Sequence, residues 1–178
     1  MPDFIKQLDE ITVEFLQAFG HLNEEQLNWK PNSQTWSIAQ NIDHLMVINN
    51  TYDPIIQNIR NGKYQAPWHA QFDFIVNFFG KTILGAVEPA RRKKMKTFPI
   101  WEPRQSNIPG NILHQFQKHQ VLLKERINSC GDLIAKRTII ASPANRIIVY
   151  KLETAFEIMI AHERRHFNQA REVLSQIP

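Results

Sequence analysis

The chain has 178 residues, 43% of them hydrophobic, with six glycines and a single cysteine, Cys130. That length suits one domain, 1–178, with a substantial core; the scarcity of glycine argues against a turn-rich all-β fold, and the lone cysteine excludes an intramolecular disulfide and a cysteine-based zinc cluster. A net charge of +4 invites a nucleic-acid reading, but much of the excess lies in one run, Arg91 to Lys96, with prolines at 89, 99, 103 and 109 around it. No helix-turn-helix, finger or stacking-aromatic signature accompanies the run, so it reads as solvated loop and nucleic acid is not an expected partner.

The start, "MPDFIKQLDE", is charged and amphipathic, without the apolar core of a signal peptide, and no apolar run approaches membrane-spanning length. The expectation is a cytoplasmic protein with no membrane partner. Residues 3 to 19 place Phe4, Leu8, Ile11, Phe15 and Phe19 at helical spacing, which predicts the first helix. A short turn follows with Asn23 as cap and Gln26 three places on. Ser37 and Gln40 form a capping box that opens a second long helix, running to about Arg60 with a kink at Pro54 and a stop at "NGK". Trp29 and Trp36 are expected to pack around the start of that helix.

A long crossover joins the second helix to the third, and 72 to 86 within it forms an extra short helix. The third helix is predicted over 109 to 129, with Ile112, Phe116, Gln120, Leu123 and Ile127 on one stripe and Gly131 closing it. The fourth is predicted over 147 to 175. Four amphipathic helices of this kind make an all-α bundle.

The fourth helix carries "HERRH", residues 162–166, an H-E-x-x-H pattern. His162 and His166, four apart, project from one face and can grip one metal ion. Their stripe includes Ala155, Ile158, Met159, Gln169 and Val173, so the face that should meet the core carries two histidines and an amide. A metallopeptidase would need a third ligand downstream, and the chain offers only Glu172, which points to a different side. The third ligand is instead found on the second helix, where His44 sits on the buried side. His44 lies roughly 10 Å from its helix N-terminus, and the His162/His166 pair lies roughly 13 to 20 Å from the C-terminus of theirs. Antiparallel packing of the second and fourth helices brings all three to one level. With the crossover running the length of the bundle, this gives an up-down-down-up topology. As ligands of one zinc-like ion, the nitrogens of His44 and of the His162/His166 pair should then approach within roughly 3 to 4 Å.

"WSIAQNIDHL" and "HERRHFNQ", with the lead-in "LNEEQLNWKPNSQTWS", resemble the DinB/YfiT-like superfamily of metal-binding four-helix bundles over about residues 4 to 175. The resemblance implies that His44, His162 and His166 bind a divalent metal, zinc or nickel foremost, with a water on the open position. It also implies frequent homodimerisation. Some members transfer a low-molecular-weight thiol to electrophilic substrates, and most have no known substrate. The implied function is therefore a metal-dependent S-transferase or hydrolase acting on a small electrophile, the alternative being a non-catalytic metal-binding or stress-response protein. The family pattern does not depend on Glu163, and the stretch 61 to 108 follows no pattern of the family.

The catalytic residues stay open, with Gln169, Arg165 and Glu163 as candidates. Gln169 either bonds a ligand imidazole or bound water, or simply packs. Arg165 either holds an anionic substrate or pairs with an acid of the second or third helix. Glu163 is either a general base or a solvated flank, the latter favoured by its place about 100° around from His162. His119, beside the stripe of the third helix, would be a fourth ligand only in a closed, structural site. His21, His69 and His114 fit no pattern, and Cys130 lacks the surroundings of a reactive thiolate.

Overall fold

The computed structural model describes residues 3–90, 97–103, 105 and 107–178. Helix α1 (Phe4–Phe19) starts where the Asp3 carboxylate accepts from the Lys6 N–H at 3.0 Å, and it buries Phe4, Leu8, Ile11, Phe15 and Phe19. The short α2 (Glu24–Asn28) opens on the Asn23–Gln26 capping box. In α3 (Ile38–Asn50) the second capping box is formed and buried: the Gln40 N–H donates to Ser37 Oγ at 3.1 Å, and the Ser37 N–H to Gln40 Oε1 at 3.2 Å.

The expected kink at Pro54 is instead a break. α3 stops at Asn50 and a separate helix α4 (Asp53–Arg60) begins with Pro54 in its first turn. Proline cannot donate to the carbonyl of Asn50, so the ladder ends there, while in a first turn its missing N–H costs nothing. α4 ends before Gly62, whose φ of +67° is the left-handed conformation that glycine adopts without strain.

The crossover contains a 3-10 turn (Trp68–Gln71), helix α5 (Asp73–Val87) and a second 3-10 turn (Pro99–Trp101). α5 is the extra helix expected over 72 to 86, found one residue later. It packs against α8 (Leu152–Leu174), the chain's last helix, and against the strand just before it. Gly80 permits the close approach, since a Cβ there would stand 3.3 Å from the Thr154 methyl and 3.7 Å from Tyr150 Cβ. The basic run Arg91–Lys96 lies outside the described residues.

α6 (Ile112–Ser129) is followed directly by α7 (Gly131–Ala135), so Gly131 opens a new turn of helix rather than closing the old one. Residues 147–151, expected to be helical, are not. Strand β1 (Ile139–Ala141) pairs antiparallel with β2 (Val149–Lys151) in the register Ile139↔Lys151, Ile140↔Tyr150 and Ala141↔Val149, and α8 starts immediately after. The β-branched run Ile147–Ile148–Val149 and the Pro143–Asn145 turn are the signals that favour a hairpin there.

α1, α3, α6 and α8 make the bundle, with α1 and α3 on opposite corners, each flanked by α6 and α8. The contacts set the directions. Asn41 meets His166 while Tyr52 meets Tyr150, so α3 and α8 are antiparallel. Asn49 meets His119 and Asp53 meets Arg126, so α3 and α6 are parallel. Lys124 reaches Asp9 on α1, whereas Phe15 meets Phe116, which makes α1 antiparallel to α6. The result is up-down-down-up, as the histidine positions require. Among the described residues no helix is long and apolar enough to cross a membrane.

Phe15 joins three of the four helices: its ring lies 4.8 Å from Phe116 and 5.1 Å from Phe167, and it is fully buried. Phe15→Ala should lower unfolding free energy by about 3–5 kcal/mol in urea titrations, while Val13→Ala, on the exposed face of the same helix, should stay within about 0.5 kcal/mol.

Candidate metal centre

His44 sits in the middle of α3, and His162 and His166 one turn apart on α8, facing it. The ring centroids are 4.4 Å apart for His162 and His166, 4.6 Å for His44 and His166, and 5.2 Å for His44 and His162. One ligating nitrogen from each ring lies within 4.8 Å of the others, and Nε2 of His162 and His166 are 3.0 Å apart. All three nitrogens thus face one small space, the donor number and type of a zinc-like ion with bonds of about 2.0–2.1 Å.

The free nitrogens are set by what the other side of each ring touches. His44 Nδ1 lies 2.6 Å from the Trp101 carbonyl, which can only accept, so the proton is on Nδ1 and Nε2 is left bare. His166 Nδ1 lies 2.7 Å from Asn41 Oδ1. The Asn41 amide cannot be turned around, because its NH2 donates to the Ser37 carbonyl at 2.9 Å. His166 therefore also carries its proton on Nδ1 and presents Nε2. Carbonyl and amide partners of this kind orient metal-ligating histidines. Two nitrogens facing each other at 3.0 Å need a shared proton or a shared cation between them.

Burial keeps the imidazoles unprotonated. It brings His44 down to about 4, against the pull of its bond to Trp101, and holds His162 and His166 well below the ordinary histidine value, helped by neighbouring imidazoles and Arg165. Metal ligation needs neutral imidazole, so the donor set fits a divalent ion.

The triad opens on a cavity of about 640 Å³. Trp36 does more than pack at the start of α3: its ring lies 4.7 Å from that of His44 and stacks on His166 at 5.9 Å, forming one wall. Trp101, on the second 3-10 turn, lines the cavity and holds His44, so the crossover contributes directly. Gln169 lines the cavity beyond His166. Arg165 also lines it, and its guanidinium donates to the Glu88 carbonyl just past α5 at 3.2 Å, rather than following the expectation of an acid on α3 or α6.

Glu163 is not the solvated flank its helical angle suggests. It is fully buried on the side of α8 that faces α6, accepting from Asn49 Nδ2 and Gln120 Nε2 at 2.8 Å each. Burial raises its carboxyl to about 7, offset in part by those two donors. Glu163 does not line the cavity, so the H-E-x-x-H spacing does not put a base beside the histidines. His119 belongs to this second polar group, 3.4 Å from Asn49 Nδ2, and not to the triad. Of the residues missed from sequence, Asn41 shares the His44 stripe three positions earlier and was legible; the Trp101 carbonyl is backbone and leaves no sequence signal.

The DinB superfamily model matches residues 7–170 of the chain. No curated protein and no solved structure matches it.

Burial, with Arg126 adding to it, lowers His119 to about 4. An unfolded chain protonates this ring near 6.5, so between about 6.5 and 4 the unfolded state binds more protons and stability falls as pH drops. For the EDTA-treated protein, His119→Gln should make that decline shallower by up to on the order of 3 kcal/mol across the window, read from urea unfolding at pH 7 and pH 4.5.

Proposed function

The chain belongs to the DinB superfamily, and from that premise we propose that it is a metal-dependent enzyme acting on a small electrophilic substrate, with His44, His162 and His166 holding one divalent ion, zinc or nickel. The observation that carries this reading is the triad itself: three neutral imidazoles, two buried and one half-buried, with their free nitrogens converging on the wall of a cavity large enough for a small molecule. When bound, such an ion supplies Lewis acidity, which favours the anionic form of a water or a low-molecular-weight thiol. Thiol transfer to the electrophile is the reaction proposed first, and hydrolysis is the second reaction the same site serves.

The protein's own residues do the positioning. Asn41 and the Trp101 carbonyl hold two ligand rings in one tautomer, so their donor nitrogens point inward before anything binds. Trp36 shields the outer side of the same rings from water. Arg165 and Lys30 outnumber Glu102 among the charged side chains of the cavity lining, which suits an anionic thiol cosubstrate. Gln169 is placed to bond a polar group of a bound molecule. The peptidase alternative has no support in Glu163, whose carboxyl is spent on Asn49 and Gln120.

Purified protein should contain about one divalent ion per chain by elemental analysis, and His44→Ala, His162→Ala or His166→Ala should each remove most of it. Asn41→Leu should weaken metal affinity about 10- to 100-fold with the fold intact. Unchanged metal in all three histidine variants would refute the site. Conjugation of a bimane-type electrophile to small thiols should depend on added metal; full metal occupancy with no conjugation or hydrolysis would reassign the protein to non-catalytic metal binding. A homodimer, cytoplasmic in location, completes the proposal. Sizing chromatography should return twice the chain mass, and a monomer at high concentration would remove that part.

A further inference from the structure

The cavity is longer than the triad needs. Along α3 its wall reads Asn41, His44, Ile48, and then Tyr52 just past the helix end; along α8 it reads Gln169, His166, His162 and Ile158. Because the two helices are antiparallel, these sequences run side by side, and the cavity continues past the histidines toward Tyr52. From His44 to Tyr52 is roughly 12 Å at the helical rise. That inner stretch is lined by Ile48, Ile158 and Ile148, with Tyr52 and Tyr150 as its floor.

We propose that this inner chamber is the substrate-recognition pocket and that it selects an uncharged molecule with an apolar body and a terminal oxygen acceptor. The proposal rests on the enzyme reading given above and names the class of its electrophile.

The floor carries the argument. Tyr52 and Tyr150 are each 2% exposed, with their hydroxyls 2.8 Å apart. Two hydroxyls joined by one hydrogen bond spend one proton on each other and leave the second to donate. Whichever of the two donates within the pair, the spare proton is on Tyr52 or Tyr150, and both residues line the cavity. A buried donor wants an acceptor, and an oxygen at the end of an apolar molecule supplies one. Burial pushes both phenols upward in pKa, so they stay protonated donors. A carboxylate is disfavoured here, since its desolvation would be repaid at this floor by a single spare hydroxyl proton.

Calorimetric titration of the full chain with 2-octanone, after EDTA treatment and again with zinc restored, tests the chamber. Binding should occur in both forms, and in the metal-free protein octanoate should bind at least about tenfold more weakly. The Tyr52→Phe/Tyr150→Phe double variant, which conserves shape, should weaken 2-octanone binding about five- to tenfold, and Ile48→Trp should abolish it. Thermal melts establish that each variant is folded; should Ile48→Trp fail to fold, Tyr52→Phe and Tyr150→Phe separately carry the test. Absence of 2-octanone binding, equal affinity in the folded variants, or octanoate bound as tightly would each overturn the proposal. The metal-free titration is blind to the histidines' ligand role and the zinc content is blind to the chamber, so failure of one reading is distinguishable from failure of the other.

Discussion

The antiparallel seam between α3 and α8 governs this molecule. Each turn of it buries polar groups that would be costly alone: Asn41 against His166, His44 beside both α8 histidines, Asn49 against Glu163, and Tyr52 against Tyr150. A shift of one helix along the other by a single turn would leave these groups without partners. The seam thus fixes the register of the bundle more sharply than apolar packing alone would, and the same register brings the three imidazoles to one level. Fold specificity and site geometry come from one set of contacts.

α8 serves two polar environments at once. Its cavity side carries Ile158, His162, His166 and Gln169, while Glu163, one residue round the helix, is held in the core by Asn49 and Gln120. Asn49 Oδ1 and Gln120 Oε1 are themselves buried without a donor. A carboxyl raised toward neutrality by burial lies close to two bare acceptors, a costly arrangement for a core. It explains why a residue that looks like the middle of a peptidase motif is structural: the spacing that aligns the two histidines turns the residue between them toward a different neighbour.

Sequence patterning reached the bundle and its polarity because those depend on periods and caps. The stripe of α1, the Ser37–Gln40 box and the His44, His162 and His166 positions are local signals whose meaning survives without tertiary knowledge. What escaped depends on long-range contacts. The break after Asn50 needed the weight of Pro54 against a continuing stripe; the hairpin before α8 was hidden because three strand residues run straight into an amphipathic helix. The burial of Glu163 depends on which helix lies opposite, and its helical angle alone pointed to solvent. The cavity floor joins Tyr52 to Tyr150 across 98 positions in the chain, a pairing no local period encodes.

The bond from His44 to the Trp101 carbonyl ties one of the three clustered histidines to the crossover rather than to the bundle. The setting of that ring and the shape of the cavity wall therefore vary together whenever that stretch of backbone changes. Substitutions around Pro99–Trp101 can reset both without touching a bundle helix, so the bundle can stay constant while the crossover diversifies. A transplanted crossover would bring its own hold on His44 with it, along with its own wall.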